Sequence, residues 1–322
     1  MKIIIPGGTG QLGGLLERAL IAQGHEVILV SRSGHGKGRM SWDGVNLGPW
    51  ATEIDGADVV INLAGRTVNC RNTDENMKEM LRSRVDSTRV VGQAIANAKR
   101  PPRLWLQMST ATIYAHRFDA ANDEASGVIG GNESDVPAYW AFSVDLAKAW
   151  EQALNEAPTP QTRKVALRTS MVMSPDKGGV FDVLLKMTRF GLGGAIGGGA
   201  QYVSWIHDDD FVRAMDHLIA RDDIDGPVNM ASPGPIPQRD FMATLRDAWG
   251  AGVGLPATKW MAEIGAFFLR TDTELLLKSR RVVPGRLLEN GFSFGFPDWS
   301  LAARDLVERW RAAKGEGVRK TV

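Results

Sequence analysis

Residues 2–5 form a short apolar run that stops at the glycine-rich stretch Pro6-Gly7-Gly8-Thr9-Gly10-Gln11-Leu12-Gly13. Apolar residues then return with helical spacing over 15–22, and a second apolar run at 27–30 ends in Ser31-Arg32. Apolar runs too short to make a helix, bounded by turn residues, predict strands buried on both faces. The alternation continues with a strand over 57–63 ending in Asn62-Leu63-Ala64-Gly65. A long helix over 75–98 follows, with Met77, Met80, Leu81, Val85 and Ala94 as its apolar positions. Next come a strand over 104–108 leading into Ser109-Thr110-Ala111-Thr112-Ile113-Tyr114, a helix over 142–154 and a strand over 164–173. This βαβ rhythm predicts an α/β fold built on a doubly wound parallel sheet.

The pattern changes after Ser174. A helical segment over 180–190 precedes the glycine-dense loop 191–199 and the stretch Ser204-Trp205-Ile206-His207-Asp208-Asp209-Asp210. An amphipathic helix is predicted near 260–268, beyond Leu255-Pro256. The expected division is a nucleotide-binding domain over 1–175, its sheet completed by segments near 200–232, and a smaller, mainly helical substrate lobe over 176–322. That lobe is expected over the carboxyl edge of the sheet, where ligands of such folds bind.

The first turn carries chemistry. Gly7, Gly10 and Gly13 let the backbone turn sharply and approach a pyrophosphate, and the following helix offers its free N–H groups and positive dipole end. The motif follows a strand and opens a helix, the context a dinucleotide site requires. Gly8, Thr9, Gln11 and Leu12 belong to the same turn. The fold is therefore read as Rossmann-type. An acid at the end of the second strand would select NAD, whereas an arginine accommodates a 2′-phosphate. Here Ser31-Arg32 stand there, Lys37 and Arg39 follow, and no acid occurs until Asp43. The expected cofactor is NADP(H); the alternative for Arg32 is a solvated surface residue. Gly65 and Ser109 end the next two sheet strands and join the expected cofactor site.

Composition narrows the functions. A net charge of +1 with dispersed basic residues offers neither a nucleic-acid stripe nor a polybasic membrane patch. The single cysteine, Cys70, precludes an internal disulfide and fits a cytoplasmic protein, with packing as its expected role. The apolar runs are too short for a secretory signal or a membrane span. The expected partner is a small-molecule substrate, with the chain a monomer or a homodimer. The ten tryptophans are expected as core and pocket walls.

Four stretches carry a family resemblance: 7–13, Val30-Ser31-Arg32, 191–209 with the pattern GLGG-x-IG-x-G-x-Q-x-x-x-WIH-x-DD, and 276–296, which holds RVVPGRLLENGFSFGF. The chain resembles, end to end, the atypical extended-like short-chain dehydrogenase/reductases known as epimerase-family proteins, which carry a C-terminal DUF1731-type domain. The resemblance implies an NADP-binding Rossmann fold. It also implies that Ser31 and Arg32 clamp the 2′-phosphate, that Leu63 and Ala64 lie along the adenosine side, that Glu79 and Arg84 reach the cofactor from the long helix, and that Val172 stands beside the nicotinamide. For Glu79 and Arg84 the alternative is an exposed helix pair.

Extended members of that group use a Ser/Thr, a Tyr and a Lys for proton transfer and carbonyl polarisation. The resemblance places Thr110 in the hydroxyl position. The Tyr-x-x-x-Lys pair is missing: aligned on Glu151, Ser143 takes the tyrosine position and Ala147 the lysine position, with Lys148 one residue off. A one-residue shift turns a helical side chain by about 100°. Proton transfer by such a group contributes about 10²- to 10⁴-fold, so either Tyr114, Tyr139 or His207 supplies the proton, or the chain binds NADPH as a regulator with little turnover. Thr110 and Tyr114 are the catalytic candidates; packing is the alternative for both, and for His207 ordering of its loop is the favoured role. Asp208, Asp209 and Asp210 are expected to be solvated or to cap a helix, since consecutive residues point different ways. No metal site is expected.

Overall fold

The computed structural model describes residues 1–68, 70, 73–134, 136–137, 140–256 and 274–315. Contacts divide the chain into two compact units: one of residues 1–113, 129–169 and 212–229, the other of 114–128, 170–211 and 230–322. A single cut at 175 therefore does not separate them, because 114–128 and 212–229 each fold with the opposite half of the sequence.

The first unit carries the sheet. Its strands are β1 (Lys2–Pro6), β2 (Glu26–Ser31), β3 (Arg39–Ser41), β4 (Val59–Asn62), β5 (Leu104–Thr110) and β6 (Arg163–Thr169). The other strands are β7 (Met171–Met173), β8 (Tyr202–Val203), β9 (Trp205–His207), β10 (Gly226–Met230) and β11 (Ile236–Pro237). The seven-stranded sheet has the order β10-β6-β5-β4-β1-β2-β3. The pairs β1–β2, β1–β4, β2–β3, β4–β5 and β5–β6 are all parallel. This is the expected doubly wound sheet, with β10 supplied from the predicted later region. Ile3, Ile4, Ile5, Val59, Val60 and Ile61 are fully buried, which explains why these strands read as unbroken apolar runs rather than alternating ones.

The helices of the chain begin with α1 (Gln11–Ala22), α2 (Asp74–Asn97), α3 (Trp140–Asn155), α4 (Val180–Arg189), α5 (Asp208–Ala220) and α6 (Gln238–Trp249). Helix α2 starts where Thr73 accepts the Asn76 N–H at 3.2 Å, and Asp74 and Glu75 sit on its positive end. Trp42, Trp50, Trp105, Val91, Ile95 and Leu154 pack in one core cluster of this unit.

The expected strand over 164–173 is two strands. Ser170 donates its N–H to the Met230 carbonyl at 3.1 Å, and beyond it β7 pairs in parallel with β9 instead of extending the large sheet. The second unit adds an antiparallel β8–β11 pair and the helices α4, α6, Gly285–Glu289 and Trp299–Lys314. Phe241 of α6 stacks on Trp299 with ring centroids 4.0 Å apart, and Phe181, Leu185 and Trp205 complete that core. The helix predicted near 260–268 lies outside the described residues. Among the described residues no helix is long and apolar enough to cross a membrane.

Candidate functional site

The three motif glycines have different reasons to be glycine. Gly7 has φ +77°, and a Cβ there would stand 2.5 Å from the Ala64 nitrogen. A Cβ on Gly13 would stand 2.1 Å from the Gly8 carbonyl oxygen, so strand and helix can close only without it. Gly10 is different: a Cβ would meet nothing nearer than the Gly7 carbonyl oxygen at 3.9 Å. The protein itself leaves room there, at the residue that opens α1 in extended conformation, with no side-chain cap and no acid in the first turn. The first N–H groups of a helix have no partner within it. The exposed Gly10 and Gln11 thus front an uncapped, positively polarised helix end with space for an anion.

The end of β2 supplies a second polar feature. Ser31 is 8% exposed, and its hydroxyl is buried without a hydrogen-bond partner. A buried hydroxyl left unmatched is costly, and a phosphate oxygen would match it. Arg32 beside it is exposed. Arg39 donates from one guanidinium nitrogen to both carboxylate oxygens of Glu17 at 2.9 and 3.1 Å. Asp43 is occupied as a turn cap, accepting the N–H groups of Val45 and Asn46 and the Asn46 side-chain amide. Hydrogen bonding, first from the Asn46 amide, holds its carboxyl below the ordinary range.

Beyond β4, the buried Asn62 accepts the Ala64 N–H at 3.1 Å and donates to Gln107 at 2.9 Å, fixing the course of Leu63-Ala64-Gly65. Glu79 is exposed, whereas Arg84 is 8% exposed. The two do not form an exposed pair. Arg84 donates to the Met80 carbonyl at 3.1 Å and lies over the Trp150 ring at 5.0 Å. Burial pushes its guanidinium down to about 10, against an opposing contribution from Cys70. A Cβ on Gly65 would approach Arg84 to 3.3 Å, so this cation sits directly under the strand end.

At the end of β5, Ser109 and Thr110 diverge. The Ser109 hydroxyl donates to Glu151 at 2.7 Å, and Arg168 forks onto the same carboxylate at 2.9 and 2.8 Å. Ser109 therefore spends its proton within the protein. Thr110 is half-buried and accepts the Thr112 N–H at 3.2 Å. On α3, Ser143 is half-buried and Ala147 fully buried; Lys148 points to solvent and donates to the Gly130 carbonyl at 3.1 Å. No tyrosine–lysine pair stands on this helix.

Tyr114 and Val172 belong to the second unit. Tyr114 is 2% exposed and its ring lies against Gly127, where a Cβ would come within 2.6 Å. Val172 is 8% exposed and pairs with Ile206. Tyr139 lies outside the described residues. His207 is fully buried and stacked on Phe296 at 3.7 Å. Its Nε2 bonds Asp305 at 2.9 Å and its Nδ1 accepts the Asp209 N–H at 3.1 Å, so both ring nitrogens order the structure around it.

The expectation for the following acids needs correction at two positions. Asp208 and Asp210 are each 1% exposed rather than solvated. Asp208 takes a bidentate Arg309 at 2.8 and 2.9 Å, and Asp210 accepts the N–H groups of Gly295 and Phe296 at 2.7 and 2.8 Å. Asp209 alone is exposed. Ligand atoms of His207, Asp208 and Asp209 do lie within 4.8 Å of one another, but those of His207 and Asp208 already serve Asp305, the Asp209 N–H and Arg309.

The contact of Ser109 with Glu151 and Arg168 was not anticipated. The usable signal was positional: Glu151 follows Ser143 and Ala147 at four-residue steps, one face of a helix.

Residues 3–231 match the NAD dependent epimerase/dehydratase family, and residues 257–306 match a domain of unknown function, DUF1731. Epimerase family protein SDR39U1 of Homo sapiens is 32% identical over 310 residues, covering 95% of this chain and 100% of the human protein. The crystal structure of human SDR39U1 (isoform 2) with NADPH superposes with a TM-score of 0.83 at 31% identity, covering 96% of this chain and 99% of that one. A nucleoside-diphosphate sugar epimerase from Corynebacterium glutamicum superposes with a TM-score of 0.75 at 25% identity, covering 99% of this chain and 62% of that one.

Proposed function

The chain belongs to the NAD dependent epimerase/dehydratase family, and from that premise we propose that it is an NADP(H)-dependent oxidoreductase or epimerase-like enzyme acting on a small polar or sugar-like substrate. The observation that carries the cofactor choice is the buried, unmatched Ser31 hydroxyl next to the exposed Arg32, with no acid at the end of β2. A hydroxyl and a guanidinium together suit a 2′-phosphate. The relative crystallised with NADPH supports the same choice.

In this reading Gly7 to Gly13 and the start of α1 face the pyrophosphate. Leu63, Ala64 and Gly65 line the adenosine side, and Glu79 and Arg84 reach the cofactor from α2. NADP(H), when bound, supplies or accepts a hydride. Thr110 acts on the substrate: its oxygen already accepts the Thr112 N–H, so its proton is free to donate to the oxygen of the reacting carbonyl or alcohol. Tyr114 is the phenol nearest Thr110 in sequence, and its burial against Gly127 supports packing over proton transfer.

A second reading has its own support. With Ser143 and buried Ala147 in place of tyrosine and lysine, the chain would bind NADPH as a regulator without turnover.

Calorimetric titration tests the cofactor choice. NADPH should bind at least about tenfold more tightly than NADH, a difference of ~1.4 kcal/mol, and Arg32→Ala should erase the preference. Equal affinities in the wild type would overturn it. A panel of carbonyl and sugar metabolites, followed by NADPH absorbance, separates enzyme from regulator. Turnover that falls with Thr110→Ala supports the enzyme, and absence of consumption with intact NADPH binding supports the regulator.

A further inference from the structure

Strands β5 and β6 end side by side, with Ser109 in register with Arg168 and Thr110 in register with Thr169. Glu151 reaches this point from α3. Its carboxylate takes the Ser109 hydroxyl at 2.7 Å and the Arg168 fork at 2.9 and 2.8 Å, joining three elements through one group. The Arg168 and Glu151 side chains are 10% and 13% exposed. Taking two charges out of water costs as much as their attraction returns in many proteins, so such a pair is poor evidence for stability and better evidence for a fixed geometry.

The geometry has a specific consequence. Successive strand residues point to opposite faces. Holding Ser109 toward α3 commits Thr110 to the other side of the strand end. Glu151 also shares its helix face with Ser143 and Ala147, the positions of the absent pair. We infer that Glu151 is a positioning residue for the nicotinamide end of the cofactor site, setting the end of β5 and the face of α3 through Ser109 and Arg168. The inference rests on the NADP(H) reading above and reassigns Ser109 from cofactor contact to anchor.

Two ligands separate position from stability. NADPH fills the whole site, whereas 2′,5′-ADP fills only the adenosine end at Ser31 and Arg32. Glu151→Gln keeps the shape but removes the charge that Arg168 and Ser109 share. It should weaken NADPH by about tenfold and blunt the fluorescence change of bound NADPH, while 2′,5′-ADP binds within about twofold of wild type. Ser109→Ala, which leaves the ion pair in place, should shift the same two NADPH readouts in the same direction by a smaller factor, and it serves if Glu151→Gln does not fold. Equal loss of both ligands, or a lower melting temperature with unchanged NADPH affinity and fluorescence, overturns the positioning role. A wild-type protein that binds neither ligand overturns the cofactor reading instead.

Discussion

Gly13 packs onto Gly8 so closely that a Cβ at 13 would stand 2.1 Å from the Gly8 carbonyl oxygen, while a Cβ at Gly10 would have 3.9 Å of clearance. Two glycines of one motif are thus glycine for different reasons. One lets α1 reach the sheet. The other has no steric need within the protein, and its openness fits the approach of a ligand.

The contrast predicts opposite phenotypes. Gly13→Ala forces two backbone segments apart and should cost about 2 kcal/mol or more in stability, the range seen for overpacked interiors. Gly10→Ala should leave stability within about 0.5 kcal/mol but lower NADPH affinity severalfold, by filling the space in front of the helix end. Urea unfolding and calorimetric titration of both variants check this. A Gly10→Ala protein that binds NADPH normally would show that the cradle is not used.

The same motif shows what sequence makes legible. The strand, turn and helix of 2–22 are local: each residue's role follows from its neighbours, and the structure returns all three elements, with α1 beginning at Gln11, four residues before the apolar spacing marks it. Nothing local in 164–173 announces the break at Ser170, whose N–H and hydroxyl both donate to the Met230 carbonyl, 60 residues away. The partner of Ser109 was hidden for the same reason, since Glu151 lies 42 residues on. Asp208 and Asp210 looked like a solvated run because nothing local announces Arg309 or the turn at Gly295 and Phe296.

Restoring the tyrosine and lysine on α3 should not restore conventional sugar epimerisation. Ser143 is half-buried and can be enlarged, but Ala147 is fully buried. Lysine there must bury a long charged side chain or displace its neighbours, at about 1–3 kcal/mol for the volume alone. Ser143→Tyr with Ala147→Lys should therefore melt at lower temperature than Ser143→Tyr, and a misplacement of ~1 Å would cost the proton transfer about 10²-fold. The assay is 4-epimerisation of a UDP-hexose. Robust turnover by the double variant would show that the position accepts the lysine and that the pocket is conventional.

The second unit carries its own acid sensitivity at Asp182, which is 2% exposed on α4. Burial alone raises its carboxyl. Hydrogen bonds from Lys186 Nζ at 2.8 Å, the Gly178 N–H at 2.9 Å and Trp310 Nε1 at 3.2 Å outweigh burial and hold the folded-state value below the ordinary one. A depressed carboxylate binds its proton more weakly in the folded than in the unfolded chain. Its stabilisation is thus fully present above the unfolded value of about 3.9 and is lost as pH falls through the folded value. Asp182→Asn removes the charge that these donors serve. It should lower stability at pH 7 by about 1.5–3 kcal/mol, as expected for hydrogen bonds to a charged group, and the deficit relative to wild type should shrink below about pH 4. Urea unfolding of both proteins at pH 7, 5, 4 and 3, followed by tryptophan fluorescence, measures the two curves. A deficit that stays constant down to pH 3 would mean that Asp182 contributes through shape rather than through its charge.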